Sequence, residues 1–272
     1  MTEDLKYIQV GDLAKGITGN ILPDSGELTG KSPKLFFEDG SIMQIRFNSV
    51  HRMTWEALEG LEKGSRGDAT YRATSLREDI YFVDYIKESQ RAKTVSLVMD
   101  LAAQKATGAI GALPTEKDTR KDTFSRLREG LELTGVSVQF LRASVDMPLT
   151  SDVHPHNPTN ELIGKRVKYV YSNTEAYEHI YLNPNLYTWH CLEGIENGLA
   201  DTDRCHYFKI AEAIYLFVWR EKIVPTLGVV MVDLNAMKTT GKLFGFEGDD
   251  FSRLTNAPIG AYATLLNVAR YD

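Results

Sequence analysis

Thr188-Trp189-His190-Cys191-Leu192-Glu193-Gly194 rewrites Thr54-Trp55-Glu56-Ala57-Leu58-Glu59-Gly60 at a distance of 134 positions. The register holds upstream, where Leu28-Thr29-Gly30-Lys31 lies over Leu162-Ile163-Gly164-Lys165, and downstream, where Glu62 and Gly64 meet Glu196 and Gly198. Positions 28–64 carry 11 identities without a gap, against roughly two expected from composition. Glu78, Ile80 and Tyr81 then fall on Glu212, Ile214 and Tyr215. A shift of 133 pairs Asp100-Leu101 with Asp233-Leu234 and Thr107-Gly108 with Thr240-Gly241, and Phe124-Ser125-Arg126-Leu127 recurs as Phe251-Ser252-Arg253-Leu254. Two long copies make a duplicated domain, not a solenoid, which stacks many short repeats.

Within each copy short runs alternate apolar and polar residues and are punctuated by turn residues. In the second copy such runs cover 167–171, 176–182, 186–192, 207–210, 213–220, 227–234, 238–246 and 261–268. This is the pattern of an antiparallel meander, and seven to nine strands per copy suffice to close a barrel and remove its exposed edges. Helix is expected only at 118–133 and near 10–15, so the fold class is all-β with minor helices, two tandem antiparallel β-barrels from an internal duplication. The expected organisation is an N-terminal barrel over 1–145, a linker over 146–160 rich in Pro, Asn, Ser and Thr, and a C-terminal barrel over 161–272.

Composition excludes several classes. The net charge is −6, from 31 Lys+Arg against 37 Asp+Glu, with no long basic block, so no nucleic-acid partner is expected. The start, MTEDLKYIQVGDLAKG, lacks a signal peptide's basic and apolar regions, and no run approaches a membrane span; a cytoplasmic location and no membrane partner are expected. Two cysteines, Cys191 and Cys205, are too few for a disulfide framework in 272 residues, and both read as reduced. There is no glycine-rich phosphate loop and no GxSxG elbow. Association into a homo-oligomer stays open.

The copies share a scaffold, so their differences expose what the scaffold does not require. Leu35 and Phe37 become Tyr169 and Tyr171; Met43 becomes Tyr177, Ile45 becomes His179 and Met53 becomes Tyr187; Tyr85-Ile86-Lys87 becomes Trp219-Arg220-Glu221. Apolar side chains give way to aromatic ones with hydroxyl or imidazole groups, as a ligand site asks of an apolar wall. Tyr169 and Tyr171, two apart on a strand, face one side. Their competing fate is outside the barrel or within a packed core. A reversed reading gives the first barrel an apolar ligand in its Leu/Phe/Met lumen.

The tandem copies, with the Asn20-Ile21-Leu22-Pro23 and Phe-Ser-Arg-Leu stretches, resemble the MoaF family across the whole chain, which implies lipocalin-like barrels. From residue 162 to 246 the second copy is also similar to the phenolic acid decarboxylases, single lipocalin-like barrels. There a Tyr-x-Tyr pair, a Glu two residues after a Trp, and an Arg carry catalysis. Tyr169-Val170-Tyr171 matches the pair, Tyr177-Glu178 the next strand and Trp219-Arg220-Glu221 the Trp-x-Glu. The family's Arg falls where this chain has Leu199, leaving Arg204 or Arg220 as substitutes for the guanidinium that a buried carboxylate wants.

The resemblance implies a cofactor-free lyase or isomerase acting on a small aromatic, phenolic compound. Glu221 would be the acid or base, with its pKa raised by burial beside Trp219. Tyr169 and Tyr171 would hydrogen-bond the oxygen on which charge develops. Tyr177, His179, Tyr187, Trp189, Trp219 and Arg204 would bind the substrate. The competing reading of Glu221 is a solvated turn carboxylate between Arg220 and Lys222, and the competing function is a noncatalytic lipocalin-like carrier of a small aromatic or apolar molecule, accessory to a biosynthetic pathway. His179, His190, Cys191, Cys205 and His206 lack zinc-ligand spacing, so no metal is expected. His154-Pro155-His156 in the linker reads as exposed and inert.

Overall fold

The computed structural model describes residues 7–88, 90, 92–150 and 154–270. The chain divides into two compact units, one of residues 22–111 and 138–157, the other of residues 7–21, 112–137 and 158 onward.

The first unit is built on a closed antiparallel barrel of β1 (Lys34–Phe37), β2 (Ile42–Phe47), β3 (Arg52–Glu59), β4 (Arg66–Arg77), β5 (Ile80–Ile86), β6 (Lys93–Asp100), β7 (Lys105–Ala112) and β8 (Ser137–Val145). Alternation sends Leu35 and Phe37 of β1 inward, where they meet Ile45, Met53, Val83 and Leu97. His156 departs from the expected exposed linker. It is 2% exposed, and its Nδ1 lies 3.0 Å from Thr107 Oγ1; burial lowers its pKa to about 4. A neutral imidazole that completes a buried hydroxyl's hydrogen bonding is part of the wall.

The second unit closes the same way. After the two-residue β9 (Asn157–Pro158), β10 (Lys165–Val170), β11 (Ala176–Asn183), β12 (Leu186–Glu193), β13 (Ala200–Ala211), β14 (Ile214–Arg220), β15 (Leu227–Asp233), β16 (Lys238–Glu247) and β17 (Asp250–Val268) follow. β10 pairs with β17, and the β12–β13 pairing completes the ring of eight. The backbone repeats with the sequence: Gly64 and Gly198 take φ of 86° and 87°, Asp79 and Ala213 take 61° and 58°, and Gln104 and Met237 take 55° and 52°. Left-handed non-glycine residues are uncommon, so their recurrence at the repeat spacing shows that the hairpins themselves were duplicated.

Two segments from earlier in the chain belong to this unit. Residues 7–21 form a strap with one helical turn, α1 (Val10–Leu13). Asn20 donates its N–H to Tyr171 O and its side-chain amide to Val170 O, both at 2.9 Å. A Cβ on Gly245 would stand 2.3 Å from Val10 Cγ2, and one on Gly260 would stand 2.4 Å from Asn20 O, so missing side chains on β16 and β17 make the bed in which the strap lies. Residues 112–137 hold α2 (Glu116–Thr119) and α3 (Thr123–Arg128), not the single helix expected over 118–133. Thr115 and Asp122 each cap an N-terminus, and the second cap interrupts the helix.

Candidate active site in the C-terminal barrel

The lumen of the second barrel is an aromatic stack. Phe217 and Trp219 on β14 lie 5.1 Å apart. Tyr187 on β12 stands edge-on to Phe217 at 4.9 Å, and His179 on β11 edge-on to Tyr187 at 5.2 Å. Tyr169, Tyr171, Tyr177, His179, Tyr187, Trp189 and Trp219 are all buried. The structure thus brings together every aromatic residue singled out by comparing the copies.

Residues two apart on a strand share a face, so Glu221 follows Trp219 inward. Trp219 Nε1–H donates to Glu221 Oε1 at 2.9 Å. The carboxyl is therefore no solvated turn group: burial, with Asp203 adding like charge, raises its pKa well above the ordinary glutamate value. A second indole repeats the arrangement, Trp189 Nε1–H donating to Asp203 Oδ2 at 3.0 Å. Burial raises the Asp203 pKa too, against the opposing pull of Lys222, whose ammonium stands 3.6 Å away and also pairs with Asp201. A third carboxylate, Glu196, accepts from Tyr177 Oη and from the N–H of Ile8 in the strap, each at 3.1 Å; burial raises its pKa as well. Sequence reasoning passed over Asp203, Glu196 and Lys222. The signal existed, since Ala69 of the first copy stands where the second has Asp203.

Glu221 and Glu196 face a cavity of about 40 Å³ walled also by Tyr171, Tyr177, His179, Tyr187, Trp189 and Trp219, with Ile8, Leu13 and Ile17 of the strap, while Asp203 and Lys222 stand behind this wall. Burial lowers the His179 pKa to about 3, so its imidazole is neutral, and its Nδ1 is buried without a partner. Tyr169 lies beside this cavity, not on it, its hydroxyl 2.7 Å from that of Tyr181.

Arg204 is a correction. It is exposed, while its neighbours Asp203 and Cys205 point inward, as alternation along β13 requires. Arg220 points away as well, to the Glu132 carboxylate and Val136 O. No arginine lines the cavity among the described residues. His190 sits outside the lumen, bonded to Glu178 at 2.8 Å, and both cysteines are free thiols. No helix among the described residues is long and apolar enough to cross a membrane.

The comparisons with known proteins fit this architecture. The MoaF N-terminal domain matches residues 5–115 and the MoaF C-terminal domain residues 156–269. Protein MoaF of Klebsiella aerogenes is 42% identical over 277 residues, covering all of both chains. A crystal structure described as a putative beta-lactamase from Burkholderia vietnamiensis overlaps 43% of this chain and 92% of its own, at 17% identity and a TM-score of 0.32, a likeness too slight to carry activity across. With both domain families present in order and a full-length relative at that identity, the chain is a member of the MoaF family.

Proposed function

We propose that the C-terminal barrel is a cofactor-free proton-transfer site of the isomerase or lyase type for a small neutral phenolic compound. The observation that supports this most is the pair of indole-held carboxyls, Glu221 on Trp219 and Asp203 on Trp189. Buried titratable groups with displaced pKa values mark functional sites, because desolvating them costs stability. Their environments also separate the two. Asp203 has an ammonium and a backbone N–H from Lys222 that oppose the effect of burial, whereas Glu221 has only the indole among the described residues and holds its proton more firmly than an ordinary glutamate. Glu221 is thus the acid, and once discharged the base, that gives a proton at one substrate atom and takes one at another. Tyr171, a neutral phenol at every ordinary pH, donates to the oxygen on which charge develops; Tyr169 is bonded to Tyr181 away from the cavity. Two carboxyls on the cavity, Glu196 and Glu221, and no guanidinium among the described residues disfavour a carboxylate substrate, which narrows the phenolic reading to neutral compounds.

Benzene occupies a cavity of about 150 Å³, so entry of a phenol into the 40 Å³ space requires Ile8, Leu13 and Ile17 of the strap to give way. The second reading, a noncatalytic carrier, needs the same movement. One experiment separates the two. Neutral phenols with a carbonyl side chain, such as 4-(4-hydroxyphenyl)butan-2-one, are incubated with the protein in D₂O, with deuterium uptake read by NMR and binding by calorimetry. Uptake in wild type that vanishes in Glu221→Gln while binding persists supports the enzyme. Binding without uptake supports the carrier, and absence of both overturns the site.

A further inference from the structure

The first barrel is hollow where the second is filled. Its lumen encloses about 600 Å³, within the range of small-molecule sites and far beyond the voids a packed core leaves. The cause is in the aligned residues: Leu35, Phe37, Met43 and Ile45 line this space at the positions of Tyr169, Tyr171, Tyr177 and His179, and Ala69 replaces Asp203. Mouth chemistry is reversed as well. Lys87 occupies the place of Glu221 and lines the cavity beside Trp55, its ammonium 5.9 Å from the indole ring. Its carboxylate neighbour, Glu62, is 3.8 Å away on a side chain 57% exposed, a loose pair that a ligand anion displaces at small cost. The other acids at the rim are engaged: Glu59 binds Lys63 at 2.9 Å and Asp39 accepts from Ser41 at 2.9 Å.

We propose that the N-terminal barrel is a separate binding site for an elongated apolar or fused-ring molecule carrying one anionic group, the apolar body in the Leu/Phe/Met/Ile lumen and the anion against Lys87 and Trp55. The site differs in kind from that of the second barrel, with Lys87 in the place of Glu221 and ready volume in place of a closed stack. Duplication has thus produced two unlike lumens on one scaffold.

The test titrates the full-length protein with two fluorescent probes of one shape, 1-anilinonaphthalene-8-sulfonate and its uncharged relative N-phenyl-1-naphthylamine. Both are expected to bind the folded protein. Gly108→Leu fills the lumen from β7, where an added Cβ meets nothing nearer than 3.8 Å, and is expected to weaken both probes at least tenfold. Val95→Trp repeats the filling from β6 should the first variant lose its native circular dichroism. Lys87→Met is expected to weaken the sulfonate roughly tenfold, as loss of a charge-assisted hydrogen bond does, and to leave the neutral probe unchanged. Failure of both probes to bind, or undiminished binding in both filled variants, overturns the site. Unchanged sulfonate affinity in Lys87→Met overturns the anionic assignment.

Discussion

Gly228→Ala adds one methyl group where the candidate site has no slack. Gly228 on β15 pairs with Trp219 on β14, and its Cβ would lie 2.1, 2.2 and 2.4 Å from three atoms of the indole. Ordinary contact begins at 3.4 Å, so the ring must retreat by 3.4 − 2.1, or 1.3 Å. Phe217 at 5.1 Å and Tyr187 and His179 at 5.8 Å crowd it, and the cavity it borders offers only about 40 Å³. The retreat also breaks the 2.9 Å bond to Glu221. Overpacking costs about 1–3 kcal/mol and the lost bond about 1–2 kcal/mol, while the stiffer unfolded chain returns about 0.4–1 kcal/mol. The expected net loss is about 1–5 kcal/mol, read from urea unfolding by circular dichroism, with altered tryptophan emission. Gly67→Ala is the matched control. Its Cβ approaches Trp55 to 3.0 Å, but Trp55 borders the open lumen and can shift into it, for a loss of less than ~1 kcal/mol. A Gly228→Ala protein within ~0.5 kcal/mol of wild type, with unaltered emission, would refute the account of a locked indole.

Because the Glu221 pKa is raised in the folded state, the native protein keeps a proton that the unfolded chain releases near its ordinary value of ~4.3. Stability is therefore full below that value and declines as pH rises until the folded group itself titrates; Glu221→Gln is expected to flatten this decline in urea midpoints taken from about pH 5 upward, and parallel profiles would contradict it. Ile8→Pro deletes the N–H that the strap donates to Glu196, and is expected to cost about 1–2 kcal/mol and to expose Trp189, which Tyr7 covers edge-on at 6.3 Å, to acrylamide quenching. Ile8→Ala keeps the N–H and should leave quenching nearly unchanged.

The duplication made most of the fold legible, because residue identities at one spacing carry turn positions and strand phase together. It also made the aromatic half of the site legible, since a residue facing the lumen in one copy faces it in the other. Position along the chain is a poor guide to partnership, however, and no periodicity in residues 7–21 announces that their bed is Gly245 and Gly260. Nor does the repeat fix local conformation. Phe-Ser-Arg-Leu is helical at 124–127 and strand at 251–254, and the difference falls on the residue before the phenylalanine, Thr123 in one and Asp250 in the other. Asp122 precedes its serine by three and caps a helix by accepting from Ser125 N–H, whereas Asp250 precedes its serine by two and accepts from Ser252 N–H in a turn that opens β17. Asp203 was hidden for a related reason: alternation sends it inward, whereas a carboxylate in a strand ordinarily marks the solvent face.

The strap has a bearing on biosynthesis. Residues 7–21 leave the ribosome well ahead of Tyr171, Glu196, Gly245 and Gly260, which receive them. The cover of the C-terminal barrel is therefore made before the bed it lies in, and must wait for β16 and β17 to be made. Severing the gene between the two sequence repeats would give a second half without its own lid, a product to be supplied with residues 7–21 as a separate peptide if its lumen is to close.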